Sequence, residues 1–193
     1  MGCVAVKAEH SPGYVQGSGA EIASLKAIGA GCPVGNRAKL VLAGDPIDVH
    51  VSCAEAGGNV TIKLNAHGAT FEEERYKKTA DSFFLVDAAL SVFDPPLLLA
   101  KVPMHSGDKW TWTGQMSSGG VAHPASAAIT TSTERVFPPN AGAVDALKVV
   151  VDLQIDGGGP TPAKRQLSFW FAQNQGLIKR QFGTTSTREP AGP

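Results

Sequence analysis

The chain has 193 residues, long enough for one domain with a sizeable core. Its 17 Lys+Arg balance its 17 Asp+Glu, so net charge offers no electrostatic basis for binding nucleic acid or an anionic membrane. A hydrophobic content of 42% excludes bulk disorder, no apolar run reaches the roughly 18 residues of a membrane-crossing helix, and 22 Gly with 13 Pro suit many short strands joined by turns.

The start, Met1-Gly2-Cys3, has neither a basic nor an apolar leader region, so it does not read as a signal peptide. Cys3 after Gly2 leaves two readings open: the acylated cysteine of a bacterial lipoprotein, or an ordinary thiol. Val6 stands where a myristoylation motif needs Ser or Thr. A lipid anchor at Cys3 is the one membrane attachment expected. Residues 1–36 are rich in small residues and form an N-terminal arm. Within it Ile22, Leu25 and Ile28 recur at i, i+3, i+6, which predicts a short helix over 20–28, ended by Gly29 and Gly31. Three cysteines exclude a complete disulfide framework. A Cys32–Cys53 bridge and two free thiols stand as equal alternatives.

The main domain is expected over 37–183. Strands over 37–43, 47–54 and 59–66 are separated by Gly44-Asp45-Pro46 and Glu55-Ala56-Gly57-Gly58. Val60, Ile62 and Leu64 alternate with Thr61, Lys63 and Asn65, the period of a half-buried strand. Residues 71–78 read as a strand with one wet face. Glu72-Glu73-Glu74 reads as a solvated strand edge that blocks unwanted pairing, its charge offset by Arg75, Lys77 and Lys78. Residues 82–92, apolar on both faces at Phe83–Val86, predict a covered central strand. Asp94-Pro95-Pro96 is expected to end it, since proline donates nothing to a ladder.

Strands over 97–102 and 109–113 follow, with Trp110 and Trp112 on one face, then a Gly/Ser-rich loop over 116–124. Residues 125–137, 146–155, 164–172 and 177–182 complete the set. Leu147, Val149, Val151, Leu153 and Ile155 form its cleanest alternation. Residues 184–193 read as a flexible tail. The expected fold is all-β: one strongly curved antiparallel sheet of about ten strands, a half-barrel or open barrel.

Three motifs in the latter half carry a resemblance. They are Pro95-Pro96-Leu97 with Gly107 and Trp110; Glu134-Arg135-Val136 with Pro138-Pro139-Asn140-Ala141-Gly142 and Ala146–Val149; and Trp170-Phe171-Ala172 with Gly176-Leu177-Ile178-Lys179. Over residues 70–183 the chain resembles a group of exported bacterial domains of unknown function, which look like the lipoprotein-carrier half-barrels. The Gly-x-x-Trp start of that class is missing from the N-terminal part. The resemblance implies a sheet wrapped round an apolar cavity, and export to the periplasm or cell surface.

No catalytic, cofactor or metal site is expected. His10, His50, His67, His105 and His123 are dispersed, and no Gly-x-Ser-x-Gly elbow occurs. Ser117-Ser118-Gly119-Gly120 and Gly157-Gly158-Gly159 read as mobile hairpin loops rather than phosphate loops. Among the aromatic residues, Phe84, Phe93, Trp110, Trp112 and Trp170 are the candidate lining of an apolar ligand cavity. The plainer alternative is ordinary core. Phe169 and Phe171 fall on the face opposite Trp170, so these aromatics do not all line one space. The expected function is non-catalytic: binding or carrying an apolar or lipid-like ligand. The alternative is a self-associating structural subunit that pairs through edge strands over a packed core.

Overall fold

The computed structural model describes residues 13–19, 21–33, 37–42, 45–137 and 142–184. Among these it contains strands and turns but no helix. The strands are β1 (Glu21–Ile22), β2 (Arg37–Leu42), β3 (Asp45–Ala56), β4 (Asn59–Ala66), β5 (Ala69–Lys78), β6 (Ser82–Ala88), β7 (Ser91–Lys101), β8 (Met104–His105), β9 (Lys109–Ser118), β10 (Val121–Val136), β11 (Val144–Ile155), β12 (Ala163–Ala172) and β13 (Gly176–Thr184). Eleven of them form one antiparallel sheet in the order β13-β12-β11-β10-β9-β7-β6-β5-β4-β3-β2. Only β8 leaves the meander, to pair with β1. Among the described residues the sheet does not close into a barrel, since β2 and β13 each have a single neighbour.

Alternation places the core. Leu147, Val149, Val151, Leu153 and Ile155 are all buried on β11, as are Val60, Ile62, Leu64 and Ala66 on β4. These stripes join one apolar cluster that also takes in Leu25 and Ile28. Strands distant in the sheet order meet across it. Phe83 of β6 and Phe171 of β12 contact edge to face with ring centroids 6.0 Å apart.

The helix expected over 20–28 does not form. Glu21–Ile22 pairs instead with Met104–His105. The next residues make successive turns, in which the Ala27, Gly29 and Ala30 amides donate to the Ser24, Lys26 and Leu25 carbonyls. So short a segment gains little from helix propagation, and packing decides its shape. The turns bury Leu25 and Ile28 all the same. Cys32 is disulfide-bonded to Cys53 of β3.

The single strand expected over 82–92 is two strands joined at Ala89 and Leu90, with φ of 49° and 62°. Two consecutive left-handed residues are the mark of a tight hairpin turn, usually made by Asn-Gly. Neither residue here is glycine, so the sequence carried no turn signal. Phe83 and Leu85 are buried, whereas Phe84 and Val86 are half-buried. The Gly/Ser loop expected over 116–124 is likewise a tight hairpin, with only Gly119 and Gly120 between β9 and β10.

Pro95 and Pro96 do not end a strand, because β7 runs through them. Pairing of β7 with β9 stops at Asp94, and the β6–β7 register jumps from Asp87↔Val92 to Leu85↔Leu97. The prolines thus lie where no ladder requires an amide. Trp110 and Trp112 fill the resulting gap between β9 and β7. Their indole N–H groups donate to the Leu98 and Pro95 carbonyls, at 3.2 and 3.0 Å. The Pro-Pro-Leu and Gly-x-x-Trp motif residues are therefore architectural: side chains bridge where backbone pairing is interrupted.

Candidate ligand cavity and buried ion cluster

A cavity of about 210 Å³ opens beside the β6–β7 turn. Its walls include Leu85, Phe93, Met116, Leu153, Leu167 and Phe182, and its polar lining residues are Ser91 and Arg165. Strand phase explains this placement. On β12 the residues Arg165, Leu167, Phe169 and Phe171 share one face, and the last three are buried in the main core. Arg165 is thus a cation at the end of an apolar stripe. Its Nη1 lies 3.5 Å from Ser91 Oγ, at the limit of a hydrogen bond. No salt bridge to Arg165 occurs among the described residues.

A second polar group lies in the same interior. Arg180 of β13 donates to both oxygens of Glu72 at 3.1 Å, and also contacts Glu74 through Nη1. Tyr76 donates its hydroxyl to Glu74 at 2.9 Å. Glu74 and Tyr76 are 0% and 1% exposed. The expected solvated Glu72–Glu74 edge is therefore overturned. β5 lies inside the sheet between β4 and β6, and period-two alternation turns Glu72 and Glu74 inward while Glu73 stays exposed. Arg75, Lys77 and Lys78 do not neutralise the pair. Their compensating cation is 106 residues on in sequence from Glu74, at Arg180 (180 − 74). Burial, reinforced by the Glu72 charge and opposed by Arg180, raises the Glu74 pKa to about 7. Burial and the neighbouring Glu74 push the Tyr76 hydroxyl well above its ordinary value. For Arg180 burial works against the charge, but the facing carboxylates outweigh it and the pKa rises.

The five aromatic candidates do not converge. Phe93, Trp110 and Trp112 belong to the main core, and Phe93 alone lines the cavity. Phe93 meets Trp112 edge to face at 6.0 Å. Phe84 is half-buried and lies outside the core cluster. Trp170 is buried in a separate small cluster with Val136 and Ala146, between the Lys148 and Lys179 ammonium groups at 5.0 and 4.3 Å. Cys3, His10 and 138–141 of the Pro-Pro-Asn-Ala-Gly motif lie outside the described residues, as do 185–193 of the tail.

A wider groove of about 570 Å³ lies between the 25–32 segment and the sheet. It is more polar, with Lys26, Glu55 and Lys78 in its walls. Lys78 and Glu55 are ion-paired there. A further polar site is the buried Asp108, which binds the segment 14–17 to the β8–β9 turn. Asp108 accepts from the Tyr14 hydroxyl and from the Gly17 and His105 amides, at 2.9, 2.7 and 2.7 Å. Burial and this carboxylate push the Tyr14 pKa up to about 12, the opposite of activation. His105 is not solvent-facing: its side chain is 13% exposed, between Asp108 and Glu21. Among the described residues no group of three or more His, Cys, Asp or Glu side chains is placed to hold a metal ion.

No protein-family model matches the chain, and no curated protein or solved structure matches it.

Proposed function

We propose that this chain is a non-catalytic container for an apolar or lipid-like ligand, built from a strongly curved half-barrel sheet and working in the bacterial cell envelope. The observation that carries this reading is the apolar cavity shared by β6, β7, β9, β11, β12 and β13. A flat sheet keeps such strands apart, whereas a wrapped one encloses a space between them. The Phe83–Phe171 contact and the reach of Arg180 from β13 to β5 support the same wrapping. Concave apolar sites with a few convergent polar groups are the usual form of small-molecule sites. Mass spectrometry of an organic extract, from protein purified without detergent, tests the proposal. A stoichiometric apolar molecule is the expected result.

A packed core favours a second reading, in which the protein is a self-associating structural subunit. Leu85, Leu97, Leu99, Ile129 and Phe169 are all fully buried, which leaves modest free volume. Among the described residues, the edges β2 and β13 each offer an unpaired side to another chain. A clean extract, with concentration-dependent association in sedimentation, would replace the first reading by this one.

A further inference from the structure

We infer that Arg165 is a head-group anchor, and that the cavity beside it takes a single alkyl chain ending in an anion. The inference rests on the container reading and specifies its ligand. Three observations lead to it. First, Arg165 ends an inward stripe whose other members, Leu167, Phe169 and Phe171, are buried apolar residues. Second, it lies among cavity walls that carry no acidic side chain, and the polar group nearest it there is the neutral hydroxyl of Ser91 at 3.5 Å. Third, Ser91 is itself only 4% exposed, so a second hydrogen-bonding group points into the same confined place from β7.

A guanidinium presents paired N–H donors that match a carboxylate or phosphate. At the edge of an apolar cavity that interaction is less screened than in open solvent. The apolar walls accept the chain and Arg165 accepts the anion, an arrangement complementary to an amphiphile rather than to a plain hydrocarbon. The volume of about 210 Å³ is below the usual range for drug-sized ligands. It suits one short chain and excludes a diacyl lipid entering whole.

Calorimetric titration of the full chain with octanoate, octyl phosphate and octanol at neutral pH tests the inference. The carboxylate is ionised there, and octanol supplies the same chain without charge. The wild-type protein is expected to bind an anionic ligand about ten- to a hundredfold more tightly than octanol. Whichever anion binds better identifies the head as carboxylate or phosphate. Arg165→Met is expected to remove that preference, and Arg165→Lys to retain part of it. Equal affinity of the wild-type protein for octanol and both anions overturns the anchor and leaves the container reading standing. Binding of none of the three overturns both. The wild-type preference decides the matter even if a variant fails to fold.

Discussion

Arg165 and Arg180 occupy adjacent strands and share an interior face, yet their surroundings differ completely. Arg180 pairs in register with the buried Phe169 and meets two carboxylates, Glu72 and the tyrosine-bound Glu74. Arg165, near the other end of the stripe, has a serine at 3.5 Å and an apolar cavity. A buried cation is tolerated when hydrogen-bonded partners replace its water. The first arginine therefore has the form of a structural clasp between β13 and β5, and the second retains binding capacity. Removing each in turn should separate the two roles.

The largest effect is expected at the clasp. Arg180→Met leaves Glu72 and Glu74 facing each other without a cation, and breaking a buried pair from one side typically costs about 3–5 kcal/mol. Urea unfolding should show the loss, and it should be smaller in mild acid, where Glu74 can take up a proton. A loss below about 1 kcal/mol at neutral pH would mean that the clasp contributes no more than an exposed ion pair.

The disulfide provides a comparison that removes neither arginine, although Cys53 pairs with Ile62, which pairs in turn with Glu74. Replacing Cys32 and Cys53 together by Ser opens a loop with a sequence separation of 21, for which loop-closure entropy gives about 3 kcal/mol. The same unfolding experiment should show a lower midpoint with an unaltered pH profile. A changed profile would tie the 25–32 segment to the ion cluster after all.

Glu74→Gln sharpens the comparison by removing one titration. The folded pKa of about 7 lies above the ordinary 4.5, so the native state binds this proton more tightly than the unfolded chain. That contribution is fully present below 4.5 and is lost as pH rises through 7. The glutamine keeps the shape and cannot ionise. It should flatten this part of the stability–pH curve, with a relative gain on the order of 2 kcal/mol at about pH 8. An unchanged slope between about pH 4 and pH 8 would place the folded pKa of Glu74 near its ordinary value.

These contrasts also mark what the sequence made legible. Alternation located the β4 and β11 core stripes, and Gly-rich punctuation located most of the turns. The same period-two rule, applied to β12, puts Arg165 in phase with Leu167, Phe169 and Phe171, so the signal for the cavity cation was present. Attention to aromatic residues drew weight instead to Phe84 and Trp170, which the strand phase carries out of the main core. The ion cluster was less accessible. Glu72-Glu73-Glu74 sits beside Arg75, Lys77 and Lys78, and nearest-neighbour charge balance suggested a wet strand edge. The partner that matters, Arg180, comes near only when strands seven places apart in the sheet are brought together. The Ala89-Leu90 turn carried no glycine to announce it, and Pro95-Pro96 lay in an irregular register that only the two neighbouring strands define.

The smallest stability effect is expected at Arg165, and for that reason it discriminates best. Arg165→Met removes a long contact to Ser91 and replaces a cation beside apolar walls by a flexible apolar side chain. With no carboxylate left unpaired among the described residues, stability should change by no more than about 0.5 kcal/mol, and an increase is compatible with the lost desolvation cost. Thermal or urea unfolding measures this directly, in protein freed of bound ligand. A deficit comparable to that of Arg180→Met would show that Arg165 also holds the fold together. A near-neutral change, set against a large loss at Arg180, leaves an inward-facing cation that stability does not require, which is the condition a binding residue must meet.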